Sequence, residues 1–153
     1  MTHDTASSTH QDTPQATPPT TFTSPRDGHP QPCVLLVEQD DPLALALNIW
    51  LTGQGYTCVH LRDARTVYDT LLSTQHTLVL LDATLPDNAG YQLCQDIRTD
   101  PTLSHIPIVL MTPCGKALEQ RKAHALGATC LLTKPFHLHE LAAALNDIVP
   151  SYP

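Results

Sequence analysis

Leu78-Val79-Leu80-Leu81-Asp82 sets the architecture of the chain. Four apolar residues follow one another without polar alternation, and a single carboxylate ends the run. An apolar run of this length reads as a strand buried on both faces, the habit of a central parallel strand. In open α/β sheets ligands bind beyond the carboxyl ends of the strands, and Asp82 is expected at such an end.

The strand is expected over Thr77 to Leu81, and similar signals flank it on both sides. Cys33 to Val37 is a second apolar strand, meeting the acidic stretch Glu38-Gln39-Asp40-Asp41. Pro42 suits the first turn of a helix carrying Leu43, Leu47, Trp50 and Leu51, which Gly53 and Gly55 end. Thr57 to Leu61 reads as a strand, and Asp63 as the N-cap of a short helix with Val67, Leu71 and Leu72. After Asp82, a loop and Gly90 lead into a helix through Leu93, Cys94, Ile97 and Arg98. A strand over Ile106 to Met111 follows, then a helix from Lys116 to Leu126 closed by Gly127. Thr129 to Thr133 is the fifth strand. His137 to Ile148 is the last helix, with Leu138, Leu141, Leu145 and Ile148 on one face. Strands alternating with helices through short connections predict a doubly wound parallel α/β sheet. Periodicity leaves the strand order open.

Composition sets the outer limits. Residues 1–31 are Thr, Pro, Ser, Gln and His with little to bury, which predicts a disordered tail ahead of one folded domain over 32–150. The chain of 153 residues is 41% hydrophobic, enough for one full core. Its net charge of −7 supplies no basic patch, so neither direct DNA binding nor a membrane surface is indicated. No apolar stretch reaches the roughly 18 residues of a membrane span, and the N-terminus lacks a signal-peptide pattern. The five cysteines form no CxxC pair and read as reduced thiols of a cytoplasmic protein. Cys114, with only Lys116 as a basic neighbour, reads as an ordinary loop thiol. His137 and His139 stand two apart, a spacing that does not share a helix face, so they read as solvated or capping residues.

In the expected architecture the strand ends converge on one surface. They deliver Glu38 and Gln39, then Asp82, then Thr112, and finally Lys134 just before Pro135. An aspartate can accept a phosphoryl group as an acyl phosphate. A divalent cation held by carboxylates would neutralise the phosphoryl oxygens, and a lysine and a hydroxyl would hold them in the product. No Gly-rich phosphate loop follows the first strand, which disfavours nucleotide binding. An aspartate-nucleophile phosphatase would want a second aspartate at position 84, where Thr84 stands.

Val34-Leu35-Leu36-Val37-Glu38, Leu80-Leu81-Asp82 with Leu85-Pro86 and Gly90, Val109-Leu110-Met111-Thr112, Leu126-Gly127-Ala128 and Thr133-Lys134-Pro135-Phe136 together carry a resemblance. The chain resembles the receiver domain of two-component response regulators over about residues 33–149. The resemblance implies a flavodoxin-like five-stranded sheet in order 2-1-3-4-5 with five helices. It also implies a phosphoprotein of a phosphorelay, with Asp82 phosphorylated by a histidine kinase or a phosphotransfer protein. Mg²⁺ would sit in an acidic pocket of Glu38, Gln39, Asp82 and the Thr84 backbone. Thr112 would be the switch hydroxyl and Lys134 would contact the phosphoryl group. The bond from Lys134 to Pro135 is commonly cis in the family. Such a domain is a signalling module rather than an enzyme, beyond weak self-catalysed phosphoryl transfer, and acts through altered contacts with an output protein that the sequence does not name. With no output domain after Pro153, a stand-alone receiver is expected. The alternative is a phosphorylation-independent pseudo-receiver acting as an interaction module.

Four positions depart from the family pattern. Gln39 stands where a second acid normally binds Mg²⁺, which removes a full negative charge and predicts weaker cation binding. Glu38 keeps the family spacing both to Gly55-Tyr56 and to Asp82, so Asp40 and Asp41 are not shifted into the pair. Pro113 lacks the backbone N–H that would meet a phosphoryl oxygen, a bond worth about 1.5–3 kcal/mol. Leu131 replaces the usual aromatic of the switch. Thr84 occupies a position known to tune phosphoryl lifetime.

Overall fold

The structure is a computed structural model that describes residues 31–149. The tail expected over 1–31 therefore lies, apart from Gln31, outside the described residues, as does the end of the expected domain at Pro150. In chain order the elements are β1 (Cys33–Val37), α1 (Asp41–Gly53), β2 (Thr57–Leu61), α2 (Val67–Ser73) and β3 (Leu78–Asp82). A 3₁₀ turn (Pro86–Asn88), α3 (Ala89–Thr99), β4 (Ile108–Thr112), α4 (Ala117–Ala125), β5 (Cys130–Thr133) and α5 (Leu138–Ile148) follow. All strand pairs are parallel and the sheet order is β2-β1-β3-β4-β5, the order that the resemblance implied.

Every residue of β3 and β4 is buried, as continuous apolar runs require when helices cover both faces. Side-chain alternation divides them between two cores. Leu35, Val37, Val79, Leu81, Ile108 and Leu110 pack with Val67 and Leu71 of α2, Leu93 and Ile97 of α3, and Ala123 of α4. Val34, Leu36, Leu78, Leu80, Val109 and Met111 pack with Leu47 and Leu51 of α1 and Leu141 and Leu145 of α5. Among the described residues no helix is long and apolar enough to cross a membrane.

Local chemistry explains where elements start. Asp40 caps α1, accepting a hydrogen bond from the Leu43 N–H at 3.2 Å. Gly55 adopts φ +96° beyond that helix, a conformation that costs glycine little. Asp63 does not cap α2. Its carboxylate instead accepts from the Arg65 N–H at 2.9 Å and pairs with the Arg65 guanidinium, so the helix begins later, at Val67. β4 starts at Ile108 rather than Ile106, because Pro107 has no N–H for the ladder and the Ile106 N–H turns back to Leu103 O. β3 runs one residue further than expected and includes Asp82 itself. His137 precedes α5 in extended conformation, which lets its ring stack on His139 with centroids 5.3 Å apart, two residues apart though they are.

At the amino ends of β4 and β5 the Arg98 guanidinium joins three segments. It donates to Gly127 O and Ser104 O at 2.7 Å, to Ile106 O at 2.8 Å and to Thr129 Oγ1 at 3.4 Å.

Candidate functional site

At the opposite end of the sheet, β1, β3, β4 and β5 deliver their last polar residues to one place. Glu38 follows β1 and is 1% exposed, Asp82 ends β3 at 0%, and Thr112 ends β4 at 3%. Buried carboxylates are costly unless paired, and Lys134, immediately after β5, supplies the charge. Its Nζ lies 2.7 Å from Glu38 Oε2 and 3.5 Å from Asp82 Oδ1. Glu38 Oε1 accepts from the Asp40 N–H at 3.1 Å. The Lys134–Pro135 peptide is cis.

Asp82 is held unevenly. Its Oδ1 accepts from the Thr84 hydroxyl at 2.7 Å and the Thr84 N–H at 2.9 Å, whereas its buried Oδ2 has no hydrogen-bond partner. Burial pushes the Asp82 carboxyl up, but the Thr84 bonds and Lys134 outweigh it and hold the group below its usual range. Burial dominates at Glu38 and raises it, against the hydrogen bonds from Lys134 and Asp40. Two buried carboxylates thus share one ammonium and are pushed in opposite directions.

The loops close over this pocket with little slack. A Cβ at Gly90 would collide with the Asp82 carbonyl oxygen, so the second residue of α3 fits there only as glycine. Asp87 and Asn88 just before it take left-handed backbone (φ 60° and 59°), a strained region that collects at functional sites. Gln39 is exposed, and its side-chain amide donates to the Thr84 carbonyl at 3.2 Å. Beyond β4, Pro113 has no N–H, and the next one, on Cys114, points back to Thr112 Oγ1 at 3.2 Å.

A family model, the response regulator receiver domain, matches residues 34–146. The chain belongs to the response regulator receiver domain family. Response regulator RppA of Synechocystis is 32% identical over 117 residues, covering 75% of this chain and 49% of that protein. The receiver thus spans about half the length of the curated relatives it matches. Among solved structures, a response regulator from Chloroflexus aurantiacus is 27% identical with a TM-score of 0.74, covering 80% of this chain and all (100%) of that one. The receiver domain of the histidine kinase PA1611 from Pseudomonas aeruginosa is 23% identical with a TM-score of 0.71, covers 80% of this chain and 100% of that one, and was solved with magnesium in its active-site cleft.

Receiver domains bind Mg²⁺ in this cleft, and the donors here fit such an ion in part. The orphaned Asp82 Oδ2 has no hydrogen-bond partner, and the Thr84 carbonyl faces the Gln39 side chain. Glu38 is already engaged through both oxygens. Gln39 contributes no charge, and its N–H holds the carbonyl oxygen that would meet the cation. Among the described residues no cluster of three or more His, Cys, Asp or Glu side chains is arranged around a metal position.

The structure therefore brings Glu38, Asp82, Thr84 and Lys134 into contact, places Gln39 on the rim, and sets Thr112 at the end of the adjacent strand. Leu131 is half-buried in β5. Sequence reasoning missed the aromatic behind Thr112. Tyr91 of α3 is 7% exposed and donates to Glu119 Oε2 of α4 at 2.5 Å, while Lys122 Nζ sits 4.1 Å from its ring centroid. Burial, and then the Glu119 carboxylate, push the Tyr91 hydroxyl up to about 12. An aromatic directly after Gly90 was the available signal, but a helix core position accounts for it equally well.

Proposed function

We propose that this receiver domain accepts a phosphoryl group on Asp82 and signals by altered protein contacts within a two-component phosphorelay. The observation that carries the reading is the buried Asp82 carboxylate at the end of β3, within 3.5 Å of the Lys134 ammonium brought in by β5. In the transfer a carboxylate oxygen of Asp82 forms a bond to phosphorus as the bond to the donor's leaving group breaks, which yields an acyl phosphate. Lys134 then turns from the carboxylates to the phosphoryl oxygens, and the Thr112 hydroxyl follows to the same charge. Thr84 keeps Asp82 oriented through two bonds to Oδ1. When bound, Mg²⁺ supplies positive charge to the transferring oxygens. Asp82 Oδ2 and the Thr84 carbonyl are the atoms that would hold it, with Gln39 turning its amide oxygen inward. A histidine kinase or phosphotransfer protein is the donor, and an output protein reads the result.

The test is incubation with acetyl phosphate and Mg²⁺, followed by intact-mass measurement. One base-labile phosphoryl adduct is expected, and Asp82→Asn should abolish it. Labelling that survives this change would move the acceptor elsewhere.

A second reading, a receiver fold that acts by protein contacts without phosphorylation, is favoured by the Gln39 hydrogen bond to the Thr84 carbonyl and by the missing N–H of Pro113. An unlabelled wild type together with a labelled Gln39→Asp variant would select it.

A further inference from the structure

The amino ends of β1 and β3, remote from the acidic pocket, hold a second polar constellation. Cys33 Sγ lies 3.4 Å from His76 Nδ1, and Nε2 of the same ring lies 2.7 Å from Thr74 Oγ1. The Thr74 hydroxyl in turn lies 3.0 Å from the Thr70 carbonyl, which can only accept. The hydroxyl therefore donates to Thr70 O and accepts from His76, which assigns the ring proton to Nε2. Nδ1 is left with its lone pair, facing the Cys33 thiol. Burial holds His76 below its usual range, so the ring is neutral and the Nδ1 lone pair stays open toward the thiol.

The backbone fixes this geometry. The Cys33 N–H donates to Thr77 Oγ1 at 3.1 Å, and the Thr77 N–H donates to Cys33 O at 2.7 Å. A cleft of about 700 Å³ opens beside the ring, lined among others by Pro32, Thr74, His76, Thr77, Leu103 and Ile106. Burial pushes Cys58 up to about 12 and raises Cys94 and Cys130. Cys33 is the thiol that the described residues pair with an imidazole.

We propose that Cys33, His76 and Thr74 form a base-assisted thiol site that takes a small hydroperoxide. A nucleophile, a base in hydrogen-bond reach and a third group orienting that base are the parts of an activated thiol. In the step, the thiol proton passes to His76 Nδ1 and the sulfur attacks one peroxide oxygen. An S–O bond forms as the O–O bond breaks. Sulfur is oxidised by two electrons to the sulfenic acid, and the departing oxygen anion takes the proton from His76 and leaves as water from hydrogen peroxide or as an alcohol from an alkyl hydroperoxide. The site is independent of phosphorylation at Asp82.

The experiment is a short exposure of the whole chain to dilute hydrogen peroxide with dimedone as trap, then peptide mass mapping. Cys33 should carry the first dimedone adduct. His76→Gln should slow that adduct about tenfold or more and Thr74→Val severalfold, while Thr74→Ser restores the wild-type rate. The rate at Cys114 should stay unchanged throughout. Equal Cys33 rates in wild type and His76→Gln would overturn the inference, and so would adduct formation led by Cys114. If His76→Gln loses its cooperative thermal transition, the Thr74→Val and Thr74→Ser pair decides alone. A serine that fails to restore the rate then refutes the relay.

Discussion

At the amino ends of β4 and β5 one guanidinium meets four acceptors, whereas at the carboxyl ends one carboxylate oxygen, Asp82 Oδ2, meets none. Both places are crossings of several segments, and both rest on a long cationic side chain. Arg98 donates to three carbonyls and a hydroxyl, so it acts as a structural tie. Lys134 bonds Glu38 at 2.7 Å but reaches Asp82 only at 3.5 Å, through Oδ1, and leaves Oδ2 without a partner. Polar groups left short of partners in an otherwise well-paired protein mark where a ligand is meant to arrive. The working end of the sheet is thus located without reference to any relative.

Four measurements put that contrast at risk. The largest effect is expected for Arg98→Met, which strips donors from three carbonyls and should lower unfolding free energy by about 3 kcal/mol in urea titration. The same variant should label from acetyl phosphate at the wild-type rate. A labelling defect would mean that the two ends are mechanically joined. Lys134→Met should cost about 2 kcal/mol, less than a fully buried pair because the lysine keeps some exposure, and it should also depress labelling strongly. If it stabilises the protein while labelling persists, the ammonium is not what balances the pocket. Gln39→Asp restores a carboxylate and should tighten Mg²⁺ binding about tenfold, equivalent to about 1.4 kcal/mol, read as a larger Mg²⁺-induced rise in Tm. Equal Mg²⁺ shifts in both proteins would show that the amide does not weaken the cation site.

The smallest effect concerns acid. Asp82 titrates below its ordinary value in the fold, so it stabilises above about pH 3.9, the unfolded value, and loses that contribution as pH falls through its folded value. Glu38, raised, works the other way and loses its contribution as pH rises through its folded value. Asp82→Asn should therefore show a shallower loss of Tm below about pH 4 than the wild type does. An unchanged acid limb would show that Asp82 is not held down by Thr84 and Lys134.

What the sequence reveals of this molecule depends on the range of each interaction. β1 and β3 can be read directly, because strands buried on both faces are continuous apolar runs and a carboxylate breaks each run at its carboxyl end. Lys134 and Asp82 can be placed at one end of the sheet because parallel strands all point the same way. The start of β4 differs from the apolar pattern because Pro107 interrupts the ladder, and Asp63 fails as a cap because nearby Arg65 competes for its carboxylate. The Gln39 bond to Thr84 and the Tyr91 bond to Glu119 span 45 and 28 positions, and nothing in local pattern foretells either. Cys33 and His76 are further hidden, since each looks ordinary until the strand order puts the β1 start beside the loop before β3.

Tyr91 carries a consequence that concerns time rather than position. α4 buries one residue, Ala123, and exposes Leu118 by 69%, so its hold on the sheet is slight. What fastens it is the Tyr91 hydroxyl on Glu119 and the Lys122 ammonium over the same ring. A helix attached this way opens in a local excursion of its own, well below the free energy that unfolds the core. Its amides should exchange with deuterium before those of α5, and Tyr91→Phe should hasten them further while the strands keep their slow pace. The face beside Thr112 is thus the part of the molecule with the shortest memory of its own shape.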